Sequence, residues 1–457
     1  MSVGAPRIPN RTPRNGALDR RRLLKLGAGA ALGASALGVA TAPRVIVRAA
    51  QDQAKVTFWT AFIDPELAVL KSMVETYNGQ ATDHQVELVQ IPPAQVTDVT
   101  KLMTAVRGGT GPDVYHLDRF IVAQRAADGL LQDLSGFGAA DVMENYIAFA
   151  RDEATFDGKP FALPFDTDAR ALYYNKTMLS DAGFDPAELD AANGPVTWDR
   201  IAEIAAAIDE KDGSGNFTRM GFVPWVNQGW HYTYGFSWGG TFYDAEACEV
   251  APTQQPIVDA FTWVQDYCVE RDAAAVNAFG GPSMQPGFPP AEHPFMASNL
   301  AMEITGDWVI AQLAQYAPDL DYGITWMPVP NEGDDSVTWA GGWSVVMPQG
   351  AKTPDQAWQF MQWMAGADGQ RIYTKETAHL PTWEALLAET DLFEERNKFF
   401  AELLPTAKNR PPLPVGAKYW DELTVAWQST YLGQTEPQAA LQTVYDRVQP
   451  DLARFCP

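Results

Sequence analysis

From residue 55 onward, apolar and polar positions fall into blocks that switch between a two-residue and a 3.6-residue period. Residues 55–62 (KVTFWTAF) form a β-rich run, and residues 65–78 place Leu67, Leu70, Val74 and Tyr77 at helical spacing. Residues 84–91 read as a second strand, 94–107 as a helix, and 113–117, after Gly-Thr-Gly-Pro, as a third strand. That β-α-β-α-β order predicts a parallel sheet with helices on its faces. Ligands on such sheets sit beyond the carboxyl ends of the strands, here near residues 59–62 and 116–119.

The pattern changes at 157–176, where Asp-Gly signals a hairpin and two β-rich stretches flank a corner at 164–168. An amphipathic helix follows at 198–208, with Ile201, Ile204, Ala205 and Ile208 on one face. Strands are predicted at 220–225, 300–304, 321–328 and 339–347, and helices at 257–271 and 307–317. After Lys352 the periodicity is helical, at 354–365, 383–404, 419–431 and 437–448. A chain of 457 residues exceeds one ordinary core. No internal repeat or tether divides it, so the expected domains are interleaved, with the chain crossing between them more than once.

Charge is uneven along the chain. The sequence holds 33 basic and 57 acidic residues, for a net of -24, but residues 1–49 contain nine of the bases and one acid, Asp19. The remainder has 24 basic against 56 acidic residues, a net of -32. So acidic a body repels nucleic acid and anionic membranes, and no nucleic-acid partner is expected. Arg20, Arg21 and Arg22 precede Leu-Leu-Lys and a Gly/Ala-rich uncharged stretch, which resembles a twin-arginine export signal over 1–50. The expected location is therefore outside the cytoplasm, at the outer face of the cell membrane. Three cysteines, Cys248, Cys268 and Cys456, lack metal-site spacing. Cys248 and Cys268 could close a short loop; three free thiols are the alternative.

Catalytic signatures are sparse. The five histidines are scattered, and the sequence has no H-E-x-x-H, nucleophile elbow, P-loop or G-x-G-x-x-G. Asp166 and Asp168 on one corner are candidates for a glycan-cleaving pair, although two residues apart they stand close together. Residues 209–217 (DEKDGSGNF) imitate part of a calcium loop, but the twelfth position from Glu210 is Gly221 rather than a bidentate acid. No metal or cofactor is expected. The aromatic content is the informative anomaly: of fifteen tryptophans, Trp225, Trp230, Trp238, Trp308 and Trp343 lie beside glycines, prolines or strand ends. Their flat faces suit the C–H face of a pyranose, with acidic and amide groups taking its hydroxyls; core packing is the competing account, and fits Trp263, Trp358 and Trp363 on their helices.

Seven motifs in register carry a resemblance over nearly the whole chain beyond residue 50: VTFWTAF, Gly-Pro-Asp-Val at 111–114, LPFDTDARALYYNKTML at 163–179, Val-Thr-Trp-Asp at 196–199, FMASNLAMEITGDW at 295–308, Trp-Ala-Gly-Gly-Trp at 339–343, and AWQFMQW at 357–363. The chain resembles the extracellular solute-binding proteins of carbohydrate ABC importers. The resemblance implies an α/β fold of the type II periplasmic-binding-protein kind, two lobes joined by a hinge. Carried over, lobe 1 spans 51–166 and 341–376, and lobe 2 spans 167–340 and 377–457. It implies hinge corners at 165–168, 339–342 and 379–381, and ligand contacts at Asp118, Asp168, Asp307, Trp308, Gly342 and Trp343. Trp59 at the end of the first strand is a further expected wall, and Trp225, Trp230 and Trp238 are added from composition. The implied function is capture of a sugar by a monomeric, non-catalytic protein, and its delivery to transmembrane permease subunits. A glycerol-phosphodiester ligand, clamped by Arg119, Arg170 or Arg410, is the alternative within the same fold; an exported glycan hydrolase is the alternative outside it.

Overall fold

A computed structural model describes residues 53–93 and 97–456; the expected export segment lies outside the described residues. Strands Ala54–Thr60 and His84–Gln90 pair in parallel, and Ala54–Thr60 pairs in parallel with Val114–Asp118. Their connecting helices are Glu66–Gln80, close to the expected 65–78, and Thr100–Arg107, which begins later than the expected 94–107. Two strands from far along the chain complete the sheet. Trp343–Val346 lies antiparallel to Val114–Asp118, and Ala162–Pro164 lies antiparallel to Trp343–Val346. The wholly parallel sheet expected from the first hundred residues is thus mixed. Trp343 pairs with Asp118 at the strand end, so the returning chain enters where the parallel strands finish and must run the other way.

A second five-stranded sheet has the order Tyr322–Thr325, Arg170–Asn175, Leu300–Gly306, Phe217–Phe222, Glu210–Lys211. Every residue of Arg170–Asn175 and of Leu300–Gly306 is buried, the signature of central strands covered on both faces. The Trp198–Ile208 helix covers one face with Ile201, Ile204, Ala205 and Ile208. Thr197 caps it, its side chain accepting from Arg200 N at 3.2 Å, a bond whose loss to alanine costs about 1 kcal/mol. The helix expected over 383–404 is broken into Glu384–Leu387 and Glu395–Leu403. Thr390 and Asp391 fall in the break, residue types whose side chains compete with helical hydrogen bonds.

The chain passes between the sheets at paired corners. Asp166–Thr167 pairs antiparallel with Leu380–Pro381, and Trp339–Ala340 pairs in parallel with Lys408–Asn409. Arg119 fastens two of these passages. It is wholly buried, bonds Glu153 Oε2 through Nε at 2.6 Å, and donates to the carbonyl oxygens of Asp166 and Gly341. Gly342 closes the same corner at φ +122°, where a Cβ would stand 2.3 Å from Asp166 O and 2.7 Å from Arg119 Nη1. Only glycine fits there.

The disulfide joins Cys248 to Cys456, Cα atoms 6.0 Å apart, and not Cys248 to Cys268. Cys268 is buried in the Gln255–Glu270 helix, whereas Cys248 sits beside a surface hairpin against which the Pro437–Leu452 helix is docked. Gln449 reinforces that docking, accepting from Val250 N at 2.9 Å and donating to Cys248 O at 3.1 Å. The calcium-like segment is a hairpin turn in which Asp212 Oδ1 accepts from Ser214 N at 2.8 Å and Asn216 N at 3.0 Å.

Candidate functional site

A cavity of about 380 Å³ opens between the ends of the two sheets. The first sheet contributes Phe62, Asp118 and the Gly342–Trp343 turn; the second contributes Asp168, Arg170, Trp230 and Trp308; Trp339, His379 and Arg410 come from the linking corners, and Trp420 from the Gly416–Tyr431 helix. Trp343 is half-buried and meets Phe62 edge-on, ring centres 4.9 Å apart. Trp230 meets Trp420 at 5.2 Å. Trp308 lies nearly parallel to His379, at 5.8 Å and 19°.

Between these aromatic faces stand two buried ion pairs. Arg410 Nη2 donates to Asp118 Oδ1 at 2.8 Å, and Arg170 Nη1 is bound to Asp168 Oδ1. Both guanidinium groups lie over the indole of Trp339, with carbons 3.6 Å (Arg170) and 4.9 Å (Arg410) from its centre. A cation over a desolvated indole gains about 2 kcal/mol. Burial pushes the Asp118 carboxyl up, and Arg410 pulls it back; burial pushes Arg170 down, and Asp168 opposes it. Each charge therefore depends on its partner.

A second charged group backs this cavity, with His379 at its edge and two aspartates behind it. His379 Nδ1 is 3.1 Å from Asp166 Oδ2, and Asp307 Oδ2 accepts from Leu380 N at 3.0 Å. Burial alone would lower His379, but Asp166, Asp307 and Glu66 outweigh it and raise the imidazole to about 9.

Of the residues singled out from the sequence, Asp118, Asp168, Trp230, Trp308, Gly342 and Trp343 line this cavity. Asp307 does not; it is fully buried and supports the corner that carries His379. Trp59 does not either. Its ring faces Lys101 on the Thr100–Arg107 helix at 5.4 Å, and Phe62, three residues on, takes the wall. Trp238 is stacked on Trp198 at 5.4 Å within a core cluster that includes Trp263. Trp225, stacked on Tyr431 at 4.7 Å, lines a neighbouring cavity. A Cβ at Gly341 would meet Arg170 and Arg410, and one at Gly342 would meet Asp166 and Arg119, so protein atoms and not a ligand take that side of the turn. Asp166, one half of the candidate hydrolase pair, is buried and accepts from Trp343 N, so it does not face the cavity beside Asp168.

Sequence reasoning missed Phe62, Gln228, Gln312 and Trp420 as lining residues. Phe62 ends a strand already placed at the ligand edge, which was a usable signal. Trp420 belongs to a helical aromatic stripe and carries no mark separating it from core.

The comparisons agree with this architecture. The family model of the bacterial extracellular solute-binding proteins matches residues 64–371. The maltotriose-binding protein of Pyrococcus abyssi is 23% identical over 315 residues, covering 68% of this chain and 62% of that protein. The sn-glycerol-3-phosphate-binding periplasmic protein of Escherichia coli is 25% identical over 314 residues, covering 65% and 68%. The solved structure of CpMnBP1 with mannobiose bound superposes with a TM-score of 0.77 at 21% identity, covering 87% of this chain and all of that one. The fold is that of a type II periplasmic binding protein, and the chain belongs to the bacterial extracellular solute-binding protein family.

Proposed function

We propose that the cleft captures a neutral carbohydrate by closing two lobes around it, and that the closed form delivers the sugar to the permease of an ABC importer. The lobes are proposed as residues 51–166 with 341–376, and 167–340 with 377–457. One observation carries the reading: the cavity alternates aromatic faces with carboxylate–guanidinium pairs whose charges cancel locally. A pyranose offers apolar C–H faces and hydroxyls that both donate and accept. Trp230, Trp308, Trp343 and Trp420 suit the faces, and the Asp–Arg pairs supply acceptors and donors side by side. A ligand touching both lobes shifts the population toward closure. The twin-arginine-like segment, read as an export signal, supports capture outside the cytoplasm.

The phosphodiester alternative needs an uncommitted cation. Arg119 is sealed in the corner, and Arg170 and Arg410 are each paired with an aspartate. A phosphate entering here would have to displace a buried carboxylate from its guanidinium. The hydrolase alternative loses its pair because Asp166 is turned away from the cavity. Titration of intrinsic tryptophan fluorescence with mono-, di- and oligosaccharides should give one saturable response at micromolar concentration or below, with the sugar recovered intact. A response to a glycerophosphodiester alone would overturn the proposal, as would cleavage of a labelled oligosaccharide.

A further inference from the structure

A separate cavity of about 290 Å³ adjoins the cleft and shares Ile63, Trp308 and Gln312 with it. Glu303, on the central strand Leu300–Gly306, lines this space. The residue is 1% exposed, and among the described residues its Oε2 has no hydrogen-bond partner. Its neighbours on the strand, Met302 and Ile304, are apolar, as burial on both faces demands. A buried carboxyl without a cation is costly there. The one basic side chain within ion-pair range is His293, its Nδ1 3.6 Å from Glu303 Oε2. Burial pushes that imidazole down to about 4, so at neutral pH it brings no compensating charge.

The donors around this cavity are already committed. Ser283 Oγ donates to Gly280 O at 2.7 Å, Gln312 Nε2 to Glu66 Oε1 at 3.2 Å, and Asn227 N to Met284 Sδ at 3.1 Å. The Asn227 side chain also serves the Glu303 carboxyl and offsets part of its burial. What remains is acceptors, the Glu303 carboxyl and one ring nitrogen of neutral His293, beside the aromatic faces of Trp308 and Phe288. Such a lining suits a cation that brings donors and asks for none. A hydroxyl both donates and accepts, so it matches the lining less well. A structural divalent ion takes about four strong ligands, and among the described residues no three His, Cys, Asp or Glu side chains converge.

We infer that this cavity binds a primary ammonium group on a short apolar body, with Glu303 as its counter-ion, His293 as a second acceptor, and Trp308 and Phe288 as aromatic walls. The inference does not depend on the carbohydrate reading of the cleft. The ammonium belongs either to a free alkylamine or, since the two spaces share walls, to an amino substituent on the molecule held in the cleft. Burial pushes the Glu303 carboxyl up to about 8, so the empty cavity keeps it protonated at pH 7 and a bound ammonium draws that proton off. His293 and Tyr173, the titratable side chains beside Glu303, stay neutral meanwhile, because burial lowers the imidazole and raises the phenol well above its ordinary value.

Isothermal titration of the full chain with propylammonium chloride tests this, with glucosamine, tetramethylammonium and zinc chloride as separate arms. Propylammonium should bind saturably, and more tightly as pH rises through 8. Tetramethylammonium carries the charge without N–H donors and should bind about tenfold more weakly or worse. Glu303→Gln keeps the shape and removes the charge; it should leave the melting temperature unchanged or higher and weaken amine binding about tenfold or more. His293→Leu, off the strand, should weaken it in the same direction and keeps the test open if the strand variant fails to fold. Propylammonium binding assigns the site to a free amine. Binding of glucosamine alone, with the same dependence on Glu303, assigns it to an amino group on the cleft's ligand. Silence toward both amines overturns the inference. So do equal affinity for tetramethylammonium, amine binding unchanged in both variants, and a response to zinc alone.

Discussion

At the scale of single residues, the cleft is organised by charges that exist only in pairs. Arg410 is 2% exposed and Asp118 is 7% exposed, so removing one partner strands the other out of water. Arg410→Met should destabilise the protein by about 3–5 kcal/mol, measured by urea unfolding. Arg410→Met with Asp118→Asn should recover much of that loss, because no unpaired charge remains; a double variant as unstable as the single would mean that Arg410 acts through packing on Phe120 and Trp339 instead. The tryptophans divide by what covers them. Trp230→Ala should weaken sugar binding by about 1–3 kcal/mol and change stability little, since the ring is half-buried at the cleft wall. Trp238→Ala should do the reverse, because its partner is Trp198. This division could not be read from the chain. A tryptophan beside Gly239 has the same local sequence character whether its ring meets a ligand or another indole.

At the scale of elements, the corners and the C-terminal helix determine how stability responds to pH and to reduction. His379, in the corner beside Leu380–Pro381, is raised to about 9 by Asp166, Asp307 and Glu66 against its burial. An unfolded imidazole titrates at about 6.5. The native state therefore holds a proton that the unfolded chain loses, a contribution complete below pH 6.5 and lost as pH rises through 9. Unfolding free energy should fall between pH 7 and 9, and His379→Gln should flatten that fall; an unaltered slope would assign the proton elsewhere. The Cys248–Cys456 bridge closes a loop of sequence separation 208, worth about 5 kcal/mol on the chain-entropy model. Reduction should lower the melting temperature. Cys268, whose thiol burial pushes up to about 12, should react with a thiol reagent only after unfolding. Reaction in the native protein would contradict its placement. The early β-α-β-α-β run was legible because each element is long enough to show its period. The corners at Asp166–Thr167 and Leu380–Pro381 are two residues each, too short to carry one; the resemblance, not the periodicity, pointed to them.

At the scale of the whole molecule, hydrogen bonds join the two halves around the cleft. Gln312 Nε2 donates to Glu66 Oε1 at 3.2 Å, and Tyr316 hydroxyl donates to Asp64 O at 3.5 Å. A bound sugar that touches both halves should reduce the radius of gyration in small-angle scattering, and Gln312→Ala should enlarge that of the free protein while leaving its melting temperature nearly unchanged. Identical curves with and without sugar would place recognition in a preformed site.

The alternation of strand and helix, the acidic body and the family to which the motifs belong can all be read along the chain, because hydrophobic period, charge and local motifs are properties of neighbouring residues. Folding alone selects the cysteine that reaches Cys456, puts Arg119 in a corner and Arg170 and Arg410 at the cavity, and makes walls of Phe62 and Trp420 but not of Trp59 and Trp238. Those outcomes depend on side chains as far as 292 positions apart, as Arg410 and Asp118 are, meeting in one desolvated place. No local pattern encodes which of several similar residues will arrive there.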